Sequence, residues 1–281
     1  MKVLVTGAAG QLGHECIRQL EARGIISNGV DKDDFDLLDS EKVTAYVRSW
    51  QPDAIIHCAA YTQVERAETQ PEVCAAINSM GTLNIARAAR AVNARLMYIS
   101  SDQIFSGAEA SYDTDAQPCP INVYGLTKAQ GEEAVRSLLQ NYYIIRTGWL
   151  FGLHGSNFVK GVLRAAYNRS EITVTDAQFG SPTYAADLAA LLCDMIQTNR
   201  YGVYHVTNEG SCTCADFAEE ILRRSGSRCR VRHVGATPGA HTRGRQASVR
   251  LAMDSLDKAG FDRLPHWQDA LDRFMAEYKK Q

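Results

Sequence analysis

The stretch "KVLVTGAAGQLG", residues 2–13, decides the fold. Residues 2–6 form a short, apolar, β-branched run of the kind that makes a buried strand, and residues 10–24 carry the periodicity of a helix. Between them stand glycines 7, 10 and 13. Gly7 permits a tight turn, Gly10 lets main chain approach a pyrophosphate, and Gly13 lets the helix pack close to the strand. The helix N-terminus offers free N–H groups to phosphate charge. Strand, glycine turn and helix, in that order, are the context that a dinucleotide site requires.

Outward from this turn the chain keeps the same rhythm. Strands are expected at 25–31, 53–60, 94–101 and 142–152, alternating with helices at 40–50, 71–92 and around Tyr124. Ser40 is a plausible N-cap, and Pro52 stands beyond the end of the second helix. Alternation at these lengths implies right-handed βαβ units, an α/β fold with a doubly wound parallel sheet, and a Rossmann domain over residues 1–150. Beyond residue 150 helices are expected at 156–168, 184–197, 213–225 and 266–279, with a strand near 202–206. These suggest a smaller α/β substrate-binding lobe, residues 151–281, laid over the carboxyl edge of the sheet, with 184–206 returning to the first domain. No internal repeat or low-complexity segment interrupts the chain.

Composition narrows the function. The chain has 281 residues, 45% hydrophobic and 22% charged, with a formal net charge of -2. That balance gives no reason to expect nucleic acid or a membrane surface as partner. No apolar run approaches the ~18 residues that span a bilayer, and the N-terminus enters a strand at once, leaving no room for a signal peptide. The eight cysteines contain no C-x-x-C pair. They read as free thiols in a reducing cytoplasm, and no metal site is expected. Residues 223–250 hold eight arginines and no acid. They read either as a solvated face or as a source of one or two guanidinium groups for an anionic substrate.

The second strand ends at Asp31, where a carboxylate can accept hydrogen bonds from the adenosine ribose, as NADH would need. Lys32 follows and could receive a 2′-phosphate, so NADPH stays open beside NADH. Tyr124 and Lys128 lie four apart, on one face of a helix. They follow a strand that leaves Ser100, Ser101 and Asp102 at the carboxyl end of the sheet. A hydroxyl, a tyrosine and a lysine are the parts that a carbonyl reduction needs. Lys128 is expected to depress the tyrosine pKa and hold the nicotinamide ribose, Tyr124 to give the proton, and Ser101 to hydrogen-bond the same oxygen. The hydride belongs to the nicotinamide, and metal is not required.

With TGxxGxxG at the start and Y-x-x-x-K in a later helix, the sequence resembles the extended short-chain dehydrogenase/reductases. "PDAIIHCAAYTQVERAE" (52–68), "SSDQIFSG" (100–107), "YGLTKAQGE" (124–132), "RTGWLFG" (146–152), "NFV" (157–159) and "DAQFGSPTYAADLA" (176–189) are similar to one branch, the RmlD-type dTDP-4-dehydrorhamnose reductases. The likeness runs from residue 1 to about 210. It implies NAD(P)H-dependent reduction of the 4-keto group of dTDP-4-dehydro-L-rhamnose, the last step to dTDP-L-rhamnose. Residue by residue, it implies Gly10, Gln11, Leu12 and Gly13 at the pyrophosphate and Asp31 at the ribose. Asp36 and Leu37 would flank adenine, with Ala59, Ala60 and Tyr61 along the middle of the cofactor. Ser101, Tyr124 and Lys128 would be catalytic, and Ser101, Asp102, Gln103, Trp149 and Asn157 would meet the sugar nucleotide.

Simpler structural readings stand beside these. Trp149 could be core, Asn157 could cap a helix, Asp36 and Asp39 could cap the helix at 40, and Asp102 could close its own loop by an Asx turn. Two positions depart from the family pattern, Ser101 for threonine and Gln103 for tyrosine. Arg245 is followed by Gln246 where the family tends to show Arg-Pro. Alternatives are a reductase of another nucleotide-linked keto sugar, or a reductase-like NADP-binding regulatory subunit. The resemblance further implies a nucleotide-sugar partner, a cytoplasmic location, and a monomer or homodimer.

Overall fold

The structure, a computed structural model, describes residues 1–235 and 248–280. Its centre is a six-stranded sheet containing β1 (Lys2–Thr6), β2 (Ile26–Val30), β3 (Ala54–His57), β4 (Arg95–Ser101) and β5 (Tyr142–Thr147), with Gly202–His205 at one edge. From that edge the order is Gly202–His205, β5, β4, β3, β1, β2, and every pairing is parallel. The chain leaves β1 toward β2 on one side and returns to β3 on the other, which opens a crevice at their carboxyl ends.

Both faces of the sheet are covered, which is why its strands are almost continuously apolar. Val3, Val5, Ile56, Met97 and Ile145 pack against Leu12, Cys16 and Leu20 of the Gln11–Ala22 helix and Leu188 and Leu192 of the Ala185–Met195 helix. Leu4, Ile55, Leu96 and Ile144 face the opposite way, onto the Ser40–Trp50, Thr82–Ala91 and Val123–Leu138 helices through Val43, Val47, Ile85 and Val135. Full burial of each such side chain contributes roughly 1.5–3 kcal/mol.

A second core lies over the carboxyl edge. Phe151, Tyr184, Phe217, Trp267 and Phe274 pack ring against ring between the Phe158–Ala166, Cys214–Ser225 and Trp267–Tyr278 helices. A parallel pair, Glu171–Thr175 with Arg230–Val234, borders it. The Asp254–Ala259 helix sends Leu256 back into the first core.

Three expectations are corrected. The strand expected over 142–152 ends at Thr147, because Trp149 leaves extended geometry with a φ of 49° before a separate short strand at Leu150–Phe151. The helix expected over 71–92 is α-helical at Pro71–Ala75, widens to a π turn at Ala76–Gly81 and resumes at Thr82–Ala91. Within the arginine-rich stretch lies an unforeseen strand, Arg230–Val234. Arg223 pairs with Glu220, Arg224 with Asp272 and Arg232 with Glu171, all acids outside that stretch. No described arginine of the stretch lines the central cavity. Arg243, Arg245 and Gln246 lie outside the described residues.

Candidate active site

The crevice is a cavity of about 1340 Å³ that runs from the glycine turn to the lobe. Gly7 has φ +69°, and a Cβ there would stand 2.7 Å from the main-chain nitrogen of Ala59. A Cβ on Gly13 would stand 2.2 Å from the Gly7 carbonyl oxygen. Gly7 therefore serves the turn and its contact with the segment after β3, while Gly13 lets the helix sit on the turn. Gly10 caps the Gln11–Ala22 helix, and its N–H donates to Gly7 O at 3.0 Å. The first helical N–H groups thus face a wall lined by Gly7, Gly10, Gln11, Leu12 and Gly13. This main-chain cradle fits an extended dinucleotide.

At one end stand Asp31, Lys32, Asp36 and Leu37. Asp31 Oδ2 accepts from Ala9 N at 3.0 Å, tying the end of β2 to the glycine turn. Asp36 Oδ1 accepts from Leu38 N, while Asp39 caps the following helix. Ala59 and Ala60 line the middle of the cavity. Tyr61 is absent from the cavity wall: its N–H donates to Asn78 Oδ1 and its hydroxyl to Gln70 Oε1.

Farther along, Ser101, Asp102, Gln103, Tyr124 and Lys128 are brought together. The Asp102–Ile104 turn continues directly from β4, and Asn122 caps the helix that carries Tyr124 and Lys128. Ser101 Oγ donates to Asp102 Oδ1 at 3.0 Å and accepts from Gln103 N at 3.1 Å. Lys128 is 2% exposed; its Nζ donates to Ile99 O at 2.6 Å and lies 4.1 Å from the Tyr98 ring centroid. Burial pulls its pKa down to about 7, against a smaller opposing pull from Glu132. Burial pushes Asp102 up to about 6, partly offset by Ser101 and Gln103.

The Tyr124 hydroxyl departs from expectation. Burial raises its pKa, and the neighbouring Ser101 offsets only part of the rise. The ammonium of Lys128 donates to Ile99 O and stands over the Tyr98 ring. A phenol held protonated suits the donor of a reduction.

The lobe supplies the remaining wall. Trp149 lines it in a left-handed conformation that is rare for a bulky side chain, braced against Gly180. Asn157 both caps its helix and reaches the glycine turn, its Nδ2 donating to Gln11 Oε1 at 2.9 Å. Phe158, Phe179, Cys214, Phe217 and Val249 complete an apolar surface that sequence reasoning did not single out. Apart from Cys214 and Phe217, which share one helix, they come from separate parts of the chain, so no single stretch of sequence marks them as one surface. Also missed was a buried support. Glu132 is held by Arg146 through bonds of 2.9 Å to each carboxylate oxygen, and Arg146 continues to Thr114 O and His205. Thr147 Oγ1 is buried in the cavity wall with no hydrogen-bond partner among the described residues. Among the described residues no group of three or more His, Cys, Asp or Glu could hold a metal ion.

The same architecture recurs in known proteins. A dTDP-4-dehydrorhamnose reductase from Streptomyces griseus is 36% identical over 95% of this chain and 91% of its own length. A dTDP-4-keto-6-deoxy-D-glucose reductase from Streptomyces niveus is 35% identical over 95% of this chain and 94% of its own. A crystal structure of dTDP-4-dehydrorhamnose reductase from Bacillus anthracis str. Ames in complex with NADP is 39% identical, covers 98% of this chain and 99% of that one, and superposes with a TM-score of 0.94. The RmlD substrate binding domain matches residues 1–280, and with these relatives covering it nearly end to end, the chain belongs to the RmlD family.

Proposed function

We propose that the chain is an NAD(P)H-dependent reductase of a nucleotide-linked 4-keto-6-deoxy sugar, converting dTDP-4-dehydro-L-rhamnose to dTDP-L-rhamnose. One observation carries the reading: the glycine cradle and the Ser101, Tyr124 and Lys128 cluster open into one cavity whose far wall is the apolar surface of the lobe. Residues 1–150 would mainly hold the cofactor and residues 151–281 mainly the sugar nucleotide. The reading carries with it a cytoplasmic enzyme, monomeric or homodimeric. Among the described residues no helix is long and apolar enough to cross a membrane.

Bound NAD(P)H supplies the hydride. Tyr124 keeps its proton because it is buried, and gives it to the sugar oxygen as negative charge develops there. Ser101 hydrogen-bonds the same oxygen and fixes the carbonyl against the phenol. Lys128, anchored on Ile99 O, would hold the nicotinamide ribose. Asp102 and Trp149 hold the sugar, and Asn157 joins that wall to the pyrophosphate cradle.

The Streptomyces niveus relative supports a second reading, in which the substrate is another dTDP-linked 4-keto-6-deoxy sugar. The deciding experiment follows NADPH and NADH absorbance with dTDP-4-dehydro-L-rhamnose and, separately, dTDP-4-keto-6-deoxy-D-glucose. Oxidation matched by dTDP-L-rhamnose formation supports the first reading; turnover of the second substrate alone replaces it. Tyr124→Phe is expected to keep cofactor affinity and lose about 10²-fold in kcat. Near-normal kcat in that variant removes Tyr124 from the proton-donor role.

A further inference from the structure

Two segments carry the reacting hydroxyls, the turn after β4 with Ser101 and the helix start with Tyr124. The Asn122 side chain links them. Asn122 Oδ1 accepts from Gly125 N at 2.6 Å, which closes the first turn of the helix. The other arm of the same amide, Nδ2, donates to Gln103 Oε1 at 2.9 Å. The two contacts together fix which way the Asn122 amide points. Beneath them the main chains touch: a Cβ on Gly125 would stand 1.9 Å from Gln103 O. Gln103 N in turn donates to Ser101 Oγ. A continuous path therefore runs from Ser101 through Gln103 and Asn122 to the turn that holds Tyr124. Glu68 Oε1 also accepts from Val123 N, at 2.8 Å. Lys128 has a separate anchor on Ile99 O.

We propose that Gln103 is a positioning residue, whose amide, held by Asn122, sets the separation of the Ser101 and Tyr124 hydroxyls. This rests on the reductase reading above, in which those two hydroxyls meet one substrate oxygen. In this role the Gln103 side chain is occupied by the enzyme's own frame, and its effect on the reaction passes through the geometry of the two hydroxyls. Displacement of a reacting group by about 1 Å can cost on the order of 10²-fold in rate. Because Lys128 is anchored independently, cofactor affinity should not follow.

The test is a double-mutant cycle on the full chain with NADPH. Gln103→Leu removes the amide while keeping its bulk. Asn122→Ser keeps a hydroxyl to cap the helix but cannot reach Gln103. Each single variant is expected to lose tens of fold to about 10²-fold in kcat, with KM and NADPH Kd changed less than about 3-fold. The double variant is expected to be no slower than the slower single variant, because both break the same link. Multiplying losses, or a kcat unchanged in Gln103→Leu, would overturn the proposal. So would parallel losses of Tm and NADPH affinity, which mark general unfolding. If the wild type turns over no keto sugar, the reductase reading fails by itself. Amide hydrogen exchange at residues 123–127 then decides the link: faster exchange in both single variants, and no further gain in the double, keeps it, and unchanged exchange removes it.

Discussion

At the scale of single residues, the cavity holds two charges that the fold would be more stable without. Asp102 is 6% exposed, and burial lifts its pKa from 3.8 to about 6. A raised carboxyl favours the native state at low pH, and that contribution is lost as pH rises through about 6. Lys128 is the mirror case, lowered from 10.5 to about 7. Its contribution is present above pH 10.5 and is lost as pH falls through about 7. The two are therefore expected to leave opposite marks. Lys128→Met should raise the unfolding midpoint most below pH 7, with the gain fading toward pH 10.5. Asp102→Asn should raise it most above pH 6 and not at pH 4, and both variants should lose turnover. Denaturant midpoints across pH 4–10 check this; matching pH trends in the two variants would refute the desolvation account. Residues that cost stability and serve the reaction are what a preorganised site contains.

At the scale of elements, the glycine turn shows which parts of a motif are backbone demands. Gly24 has φ +64° with nothing within 4 Å of its missing Cβ, so Gly24→Ala meets only the left-handed penalty, roughly 1–2 kcal/mol. Gly13→Ala must instead push the helix off the Gly7 carbonyl. It is expected to cost more than Gly24→Ala in urea unfolding and to abolish NADPH binding. Equal losses in the two would mean that the turn yields easily. Below the site, Glu132→Gln leaves the Arg146 guanidinium, 1% exposed, without its counter-charge, at an expected cost of about 3–5 kcal/mol. The contrast explains what could be read in advance. Gly7, Gly13, Tyr124 and Lys128 are local patterns on one strand, turn or helix, so spacing read in its strand-and-helix context exposed them. The break after Thr147 depends on Trp149 adopting a positive φ, which its bracing against Gly180 supports. The π turn at Ala76–Gly81 holds Asn78, whose amide bonds Tyr61 and Thr127 across the fold. The Tyr61 hydroxyl is held by Gln70. Partners 17 and 49 positions away in sequence leave no local periodicity to find.

At the scale of the whole molecule, the sheet edge and the lobe share one cavity wall, and Asn157 is where they join. Its Oδ1 caps the lobe helix by accepting from Lys160 N at 3.0 Å, and its Nδ2 donates to Gln11 Oε1 and Gly152 O. Gln11 is the first residue of the helix that follows the glycine turn. A dinucleotide ordering that helix start would therefore also order the base of the lobe helix, where Phe158 lines the cavity. Two ligands that stiffen the same joint should help one another. NADP is expected to tighten dTDP binding, within the 5–150-fold range usual for coupled sites, and by linkage dTDP should tighten NADP equally. Asn157→Ser keeps a hydroxyl for the helix cap but drops the reach to Gln11. In that variant each ligand alone should bind within about 3-fold of wild type while the coupling falls toward unity. Calorimetric titration of dTDP with and without NADP reads this directly. Coupling that survives Asn157→Ser would move the joint elsewhere, to the Arg273 and Asn208 bonds on Asp187 that tie the lobe to the Ala185–Met195 helix. Coupling absent in the wild type would mean that the lobe and the sheet bind their ligands independently.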